Sequence, residues 1–296
     1  MAAMIIDGKA TAAKVREDVR RRVEDVKKRG VAPCLAVILV GEDPASVSYV
    51  RGKQKALADT GMEGRDLRLS ETTPEGELLS LIASLNADEG VHGILVQLPL
   101  PAHIREERVI NAIDPRKDVD CFHPVSVGKL LLGQDGFLPC TPQGVVVLLE
   151  EYKIPIAGSH AVIVGRSNIV GKPLAALLAR REHNATVTLC HTGTADLPSH
   201  TRRADILVAA TGKAGLITGG MIKKGAAVID VGNSAPEKVT ATGGSARRLV
   251  GDVVFDEAAE IAGWITPVPG GVGPMTIAML MQNVVLAAER KAAESP

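Results

Sequence analysis

Ala161-Val-Ile-Val-Gly165-Arg-Ser-Asn-Ile-Val-Gly171 joins an apolar run, typical of a buried strand, to a helical pattern that begins near Lys172. Dinucleotide-binding folds hold the pyrophosphate at such a turn, on backbone N–H groups at the start of the helix. The usual fingerprint is GxGxxG, but here Ser167 replaces the middle glycine and the last glycine comes one residue late. The turn by itself also fits a plain strand-to-helix connection, so the surrounding elements must distinguish the two.

Strand and helix patterns alternate on both sides of this turn, which predicts an α/β protein with parallel sheets. Buried strands are predicted at residues 34–40, 93–98, 161–165, 185–190, 205–210, 226–231 and 264–266, and helices at 11–29, 73–86, 143–151, 172–181 and from 275 to about 288, with one more starting at Pro44 behind an Asp43 cap. Pro and Gly are frequent at 114–142, which we interpret as loop and as the domain boundary. We therefore predict a first α/β domain of residues 1–140 joined by the C-terminal helix 275–296, and a second, Rossmann-like domain of residues 141–274.

The charge and aromatic content exclude several classes of protein. Lys and Arg number 34, as do Asp and Glu, so the 296-residue chain has no net charge, and aromatic residues make up only 2%. Nucleic-acid-binding proteins usually present a basic face and aromatic stacking residues, so nucleic acid is not an expected partner. The longest unbroken apolar run, Cys34 to Val40, is too short to span a membrane.

Cysteine use and the N-terminus predict a cytoplasmic protein. The four cysteines are widely spaced and form no CxxC motif, as in a protein with reduced thiols. Asp7 interrupts the N-terminus before any signal-peptide core develops. We expect no metal site, because neither the cysteines nor the seven histidines have the spacing of ligands.

The second strand of the Rossmann-like domain bears on the choice of nucleotide. An acidic residue at its end would hold the ribose 2′-hydroxyl and favour NAD. The chain instead has Leu189-Cys190-His191-Thr192 there, and Arg166 lies in the phosphate turn. A cation and no repelling carboxylate suit the additional phosphate of NADP, which is therefore the predicted cofactor.

Tyr49 and Lys53 lie four residues apart in the helix after strand 34–40, and hence on one helical face. Parallel sheets bind ligands at the carboxyl edge of their strands, where Gln97 ends a second strand. A Lys in such surroundings can serve as acid or base near neutral pH, although a solvated Lys on an amphipathic helix is the plainer interpretation. Tyr-x3-Lys is also the signature of short-chain dehydrogenases. In that family it follows the nucleotide loop, whereas here it precedes the loop by more than a hundred residues.

Seven sequence blocks, taken in order, are together specific for one family. They are Val40 to Lys53, Gly93 to Pro101, Lys117 to Pro124, Pro139 to Pro142, Gly165 to Pro173, Val228 to Gly232 and Thr266 to Thr276. With these blocks the chain resembles the bifunctional methylenetetrahydrofolate dehydrogenase/cyclohydrolase family over nearly its whole length. The resemblance implies two α/β domains flanking a cleft, and a homodimer formed through the Rossmann domain.

The resemblance also implies an activity in one-carbon metabolism and purine biosynthesis. The protein would oxidise 5,10-methylenetetrahydrofolate with NADP and then hydrolyse the methenyl product to 10-formyltetrahydrofolate. Lys53 would be the central acid and base, with Gln97 hydrogen-bonded to it and Tyr49 stacked on the folate. Asp120 would hold the pterin ring. Further folate contacts would come from Pro267, Gly271 and Pro274, and cofactor contacts from Gly165, Arg166, Ser167, Thr192, Gly232 and Asn233.

Three positions depart from the pattern of the family. Cys121 stands where we expect Gly, beside Asp120, and Val231-Gly-Asn-Ser-Ala replaces the usual Val-Gly-Ile-Asn. Thr192 is not the commonest residue at its position. Two alternatives to the bifunctional enzyme remain open: a dehydrogenase without cyclohydrolase activity, and a non-catalytic folate- or nucleotide-binding protein. Binding alone has no evident need for Lys53, which favours an enzyme.

Overall fold

The computed structural model describes residues 2–234 and 249–294. In these residues the strands are β1 (Met4–Ile5), β2 (Cys34–Val40), β3 (Glu63–Leu69), β4 (Gly93–Val96), β5 (His160–Val164), β6 (Thr186–Cys190), β7 (Ile206–Ala209), β8 (Ala227–Asp230) and β9 (Trp264–Ile265). The α-helices are α1 (Gly8–Lys28), α2 (Pro44–Thr60), α3 (Glu75–Ala87), α4 (Glu106–Ala112), α5 (Pro124–Leu132), α6 (Cys140–Glu151), α7 (Gly171–Ala179), α8 (Leu197–Thr201), α9 (Phe255–Ile261) and α10 (Val272–Glu294). The prediction of an α/β protein with two parallel-sheet domains is confirmed.

The chain divides into two compact units, each with one sheet. The six-stranded unit comprises Met1–Ala12 and Thr141–Thr276, and the three-stranded unit comprises Ala13–Cys140 and Ile277–Pro296. We expected residues 1–140 to stay together, but the first twelve residues belong to the six-stranded unit. The reason is the parallel pairing of β1 with β9, in which Met4 lies opposite Trp264.

The sheet of the six-stranded unit is parallel and has the order β1-β9-β8-β7-β5-β6. Every residue of β7 and β8 is buried, as expected of strands that are covered on both faces. The chain places β6 on one side of β5 and β7 on the other, so the order reverses at β5. In open parallel sheets ligands bind at the carboxyl end of the strands where this reversal occurs.

The sheet of the three-stranded unit has the order β3-β2-β4, and its strand order reverses at β2. The central strand, β2, is an unbroken apolar run with all of its residues buried. The edge strand, β3, has the sequence Glu63-Gly-Arg-Asp-Leu-Arg-Leu69 and is mostly exposed. Because charged residues interrupt the alternation that is typical of a strand, β3 was not predicted from the sequence.

Helices α4, α5, α8 and α9 were not predicted, and α10 begins earlier than predicted. Pro and Gly mark the ends of α5 and α10. α5 lies inside the expected loop at 114–142, with Pro124 in its first turn and Gly133 closing it at φ 67°. α10 begins at Val272 instead of Met275, so Pro274 stands in its first turn. Proline is tolerated there because the first helical N–H groups have no partner within the helix.

By length and composition α10 could cross a membrane, but 61% of its most apolar window is buried inside the protein. Asn283 shows how its second half is held in the three-stranded unit. Its side-chain amide donates to the carbonyls of Val119 and Leu138, at 2.7 and 2.8 Å. These contacts are those of a core helix.

Candidate active site

Helix α2 presents Lys53 at the carboxyl edge of the three-stranded sheet. The Asp43 carboxylate caps this helix by accepting from the Ser46 amide at 2.8 Å, and Pro44 follows the cap, as predicted. Lys53 is only 9% exposed, whereas Tyr49, one turn earlier, is 39% exposed. A large aromatic ring left open to solvent beside a buried ammonium group marks this part of the helix as a binding surface.

Gln97 follows β4 directly and meets Lys53. The Lys53 Nζ donates to Gln97 Oε1 at 2.9 Å, and Gln97 Nε2 donates to the carbonyl of Leu98 at 2.8 Å. The backbone N–H of Gln97 is bound to the carbonyl of Ile38 in the central strand. The hydrogen bonds of the backbone N–H and of the side-chain Nε2 therefore hold the Oε1 of Gln97 toward Lys53.

Asp120 and Cys140 complete the surroundings of Lys53. Cys140 Sγ lies 3.7 Å from Asp120 Oδ1 and 3.5 Å from the carbonyl oxygen of Val119. Asn283 Nδ2 approaches the same sulfur at 3.7 Å. Burial raises the pKa of the Cys140 thiol, which favours the protonated form as a weak donor. Neither Cys140 nor Asn283 was predicted from the sequence to have a role, although Cys140 lies in one of the seven blocks.

Burial is the main cause of the pKa shifts of Lys53 and Asp120. It lowers the pKa of the Lys53 ammonium, while the carboxylate of Asp120 and the thiol of Cys140 act in the opposite direction. Burial also raises the pKa of the Asp120 carboxyl, while Lys53 lowers it. A lysine with a lowered pKa has more of the neutral amine available near neutral pH, which is the form that accepts a proton.

The loop after Asp120 is fixed by a second carboxylate. Asp118 is buried and accepts from the amides of Phe122 and His123, at 3.1 and 2.9 Å. Cys121 between them has φ 62°, a left-handed conformation in which glycine carries no steric penalty. This explains why the family pattern led us to expect Gly there. In this chain the Cys121 thiol donates to the carbonyl of Phe137 at 3.1 Å, which offsets part of the cost.

In the six-stranded unit, the turn between β5 and α7 has no room for side chains at two positions. A Cβ on Gly165, at φ +126°, would lie 2.0 Å from the carbonyl oxygen of Ala210, and one on Gly171 would lie 1.9 Å from the carbonyl oxygen of Gly165. The Ser167 Oγ accepts from the amides of Val170 and Gly171, at 3.1 and 3.4 Å. Arg166 is exposed in this turn, five residues before α7 begins.

This turn fits a dinucleotide with an additional phosphate. The close approach of backbone at both glycines fixes a turn of the kind that holds a pyrophosphate, and Arg166 supplies an exposed positive charge within it. At the end of β6 the chain has His191 and the exposed Thr192, without an acidic residue. The His191 Nδ1 accepts from the Gly193 amide at 3.0 Å, so this nitrogen is occupied by the turn.

Two buried carboxylates, Asp230 and Asp252, hold the turns after β8 and β7, and neither was predicted from the sequence. Asp230 accepts from the amides of Gly232, Asp252 and Val253 at 2.8 to 3.0 Å, and burial raises its pKa to about 6. Asp252 Oδ2 accepts from the amides of Thr211 and Gly212. These contacts hold the turns after both strands, including Gly232, whereas Asn233 is exposed. The Val-Ile-Asp-Val-Gly block contained the signal for Asp230.

The remaining predicted folate contacts, Pro267, Gly271 and Pro274, lie just before α10 or in its first turn. The Gly271 amide donates to the carbonyl of Pro267 at 2.8 Å, closing a tight turn. A Cβ on Gly8 would lie 1.8 Å from the carbonyl oxygen of Gly271, so α1 begins directly against this turn. Pro274 belongs to the first turn of α10 instead of to a loop. Among residues 2–234 and 249–294, no three His, Cys, Asp or Glu side chains come together as metal ligands would.

A nucleotide-type turn at the switch point of one parallel sheet, and a buried lysine at the carboxyl edge of another, define a nucleotide-dependent α/β enzyme. Family models agree with this class. The model described as the catalytic domain of tetrahydrofolate dehydrogenase/cyclohydrolase matches residues 6–120, and that of the NAD(P)-binding domain matches residues 139–292. The chain belongs to the tetrahydrofolate dehydrogenase/cyclohydrolase family.

Individual relatives match along the whole chain. The bifunctional protein FolD of Moorella thermoacetica is 56% identical over 291 residues, which cover 98% of this chain and 100% of the relative. The crystal structure of the bifunctional enzyme FolD from Campylobacter jejuni has a TM-score of 0.92 and 47% identity, and covers 98% of this chain and 99% of that one. The Trypanosoma brucei dehydrogenase-cyclohydrolase, complexed with NADP cofactor and an inhibitor, has a TM-score of 0.92 and 40% identity, with 98% of each chain covered.

Proposed function

We propose that the protein oxidises 5,10-methylenetetrahydrofolate to the 5,10-methenyl cation with NADP, and then hydrolyses the cation to 10-formyltetrahydrofolate. The observation that carries the proposal is the buried Lys53 ammonium, which donates to Gln97 at 2.9 Å and has its pKa lowered by burial. Binding alone has no use for an amine prepared in this way. The family membership of the whole chain supports both activities.

Hydrolysis requires a proton to be taken and then returned, and Lys53 can do both. The neutral amine removes a proton from the water that attacks the methenyl carbon, forming a C–O bond. The C–N5 bond then breaks as the new hydroxyl oxygen becomes the formyl oxygen, and the Lys53 ammonium protonates N5 as it leaves. Water addition and ring opening together release one proton to solvent. Gln97 holds the amine in position throughout.

The other residues bind and orient. Tyr49 offers its exposed ring to the folate, and the Asp120 carboxylate accepts from the donor edge of the pterin. Pro267, Gly271 and Pro274 stay predicted folate contacts. We propose that Gly165, Arg166, Ser167, Thr192, Gly232 and Asn233 hold NADP, whose chemistry when bound is to accept the hydride from the methylene carbon.

The decisive experiment follows the methenyl intermediate and cofactor reduction together, with purified protein, methylenetetrahydrofolate and either NADP⁺ or NAD⁺. The proposal expects reduction of NADP⁺, with the methenyl intermediate forming and then being lost by hydrolysis. Reduction of NADP⁺ without hydrolysis of the methenyl compound would show that the protein is a dehydrogenase without cyclohydrolase activity. Absence of both activities would refute the proposal in favour of a non-catalytic folate- or nucleotide-binding protein.

Arg166→Ala is expected to raise the KM for NADP about 20-fold and the KM for NAD less than about threefold, because a charge-assisted bond to the 2′-phosphate is lost. The matched control is Arg181→Ala, an exposed arginine beyond the other end of α7. Steady-state kinetics with both nucleotides measure the effect. Equal losses for NADP and NAD would refute a role at the 2′-phosphate.

Gln97→Glu is expected to move the pH profile of hydrolysis upward by about one pH unit. A carboxylate within hydrogen-bond distance of Lys53 favours its ammonium form, so the pKa of Lys53 rises and the neutral amine forms only at higher pH. Gln134→Glu makes the same charge change at an exposed position of the same unit and should leave the profile in place. A profile that stays, or that moves to lower pH, would contradict the assignment.

We also propose a homodimer in the cytoplasm that supplies formyl groups to purine biosynthesis, as the resemblance implies. The four cysteines are free thiols, which supports a reducing compartment. The three-stranded unit is the proposed folate-binding catalytic domain, and the six-stranded unit the proposed NADP-binding domain. Size-exclusion chromatography with light scattering tests the dimer.

A further inference from the structure

A cavity of about 380 Å³ opens in the three-stranded unit at the sheet edge opposite Lys53. Its wall includes His92, which immediately precedes β4 and accepts from the amide of Cys34 at the start of β2, at 3.2 Å. Gln97 follows the other end of β4. Gln97 is five positions after His92 along extended chain, which is roughly 16 Å. The cavity is therefore separate from the Lys53 cluster.

The lining of this cavity is positively charged in a protein with no net charge. Five basic residues line it against two acidic ones: the basic residues are Arg116, Lys117, Lys129, Arg290 and Lys291, and the acidic residues are Glu89 and Glu294. Such an imbalance in a concave, partly enclosed surface attracts anions.

Not every one of these cations is available to a ligand. Lys117 Nζ donates to the carbonyls of Leu85, Asn86 and Asp88 at 2.7 to 2.9 Å, which uses all three of its N–H groups to close the end of α3. Arg116 forms an ion pair with Asp114 at 2.6 Å. Because Lys117 and Arg116 already have partners within the protein, they line the cavity but are not assigned to ligand binding.

Lys129 and Arg290 are differently placed. Within the described residues the Lys129 ammonium has no ion pair or hydrogen bond. The Arg290 guanidinium lies over the ring of Phe137, 5.1 Å from its centroid, and its ion pair is with Asp135, a carboxylate that is 91% exposed. An exposed ion pair is weak, so Arg290 can exchange it for a ligand anion at small cost. A stacked guanidinium still presents its edge for two parallel hydrogen bonds to a phosphate.

The rest of the wall combines apolar side chains with the polar residues Asn86, His92 and Ser126. Val91, Phe137 and Ala287 line the cavity, together with Val125, whose side chain is 47% exposed. The volume is at the lower end of the range for small-molecule sites, which combine an apolar wall with a few polar groups. We propose that this cavity binds a small phosphate monoester with an apolar or aromatic body, and that Lys129 and Arg290 hold the phosphate.

The probe for this site is 1-naphthyl phosphate, titrated by calorimetry into the full-length protein. Inorganic phosphate supplies the charge without the apolar body, and 1-naphthol supplies the body without the charge. We expect the ester to bind at least about tenfold more tightly than either, because both parts of the cavity are then filled. Equal binding of inorganic phosphate or of 1-naphthol would overturn the proposal.

Lys129→Gln is expected to weaken binding of the ester at least about tenfold, since it removes one charge-assisted bond to the phosphate. Lys28→Gln is the matched control, because Lys28 is exposed in the same unit and is not part of the lining. Lys53→Met should bind the ester as the unaltered protein does. A loss in Lys53→Met, or unchanged binding in Lys129→Gln, would place the ester elsewhere and overturn the proposal. Thermal unfolding of each variant establishes that it is folded.

Discussion

Lys53→Met is expected to lower the rate of methenyltetrahydrofolate hydrolysis about a thousandfold, the range in which a positioned acid and base contributes. Methionine is unbranched and nearly as long as lysine, so it fills the same buried space without a proton to exchange. The fold should tolerate the change, because an ammonium that is 9% exposed is costly to bury and its removal relieves that cost.

The control for this variant is Lys55→Met, two residues further along α2, where the side chain is exposed. It removes the same charge from the same helix and should leave hydrolysis unchanged. Stopped-flow decay of the methenyl compound measures both variants, and urea unfolding compares their stability. Near-normal hydrolysis in Lys53→Met would remove this residue from the mechanism.

Gly165→Ala is expected to lower the free energy of unfolding by about 3 kcal/mol or more. The added Cβ would lie 2.0 Å from the carbonyl oxygen of Ala210, and both partners are backbone at the ends of neighbouring strands. The φ of +126° is itself unfavourable for alanine. Neither problem can be relieved by turning a side chain.

Gly158→Ala is the control for a positive φ without a clash. Gly158 also has a positive φ, +75°, but nothing lies within 4 Å of its added Cβ, so only the backbone conformation is penalised, by about 1 kcal/mol. Urea unfolding of the two variants gives the difference that the clash and the less favourable φ of Gly165 account for together. If Gly165→Ala were no less stable than Gly158→Ala, the turn would have space that the structure does not show.

The central strand β2 was predictable from the sequence, as were the edge strands β4 and β6, whereas the edge strands β1 and β3 were not. The run Cys34 to Val40 is apolar throughout because β2 is covered on both faces, and its bounds were predicted correctly. β3 lies at the edge with its charges in solvent, and β1 is only two residues long. Both are strands because of the partner they pair with, which local sequence does not encode.

The same distinction applies to the candidate site. Lys53 and Gln97 were expected to face each other because each follows a strand of one parallel sheet, and parallel strands end at the same edge. Cys140 and Asn283 reach the neighbourhood of Asp120 through chain separations of 20 and more than 140 residues. No periodicity links such positions, so packing alone reveals them.

The pairing of distant segments has a consequence for biosynthesis. The core around Asp120 includes Asn283, which binds the carbonyls of Val119 and Leu138. A ribosome that has completed residues 1–276 has supplied everything that the six-stranded unit uses, but the three-stranded unit still lacks its last helix. The unit that is translated mostly first therefore cannot complete its core until the whole of its neighbour has been synthesised.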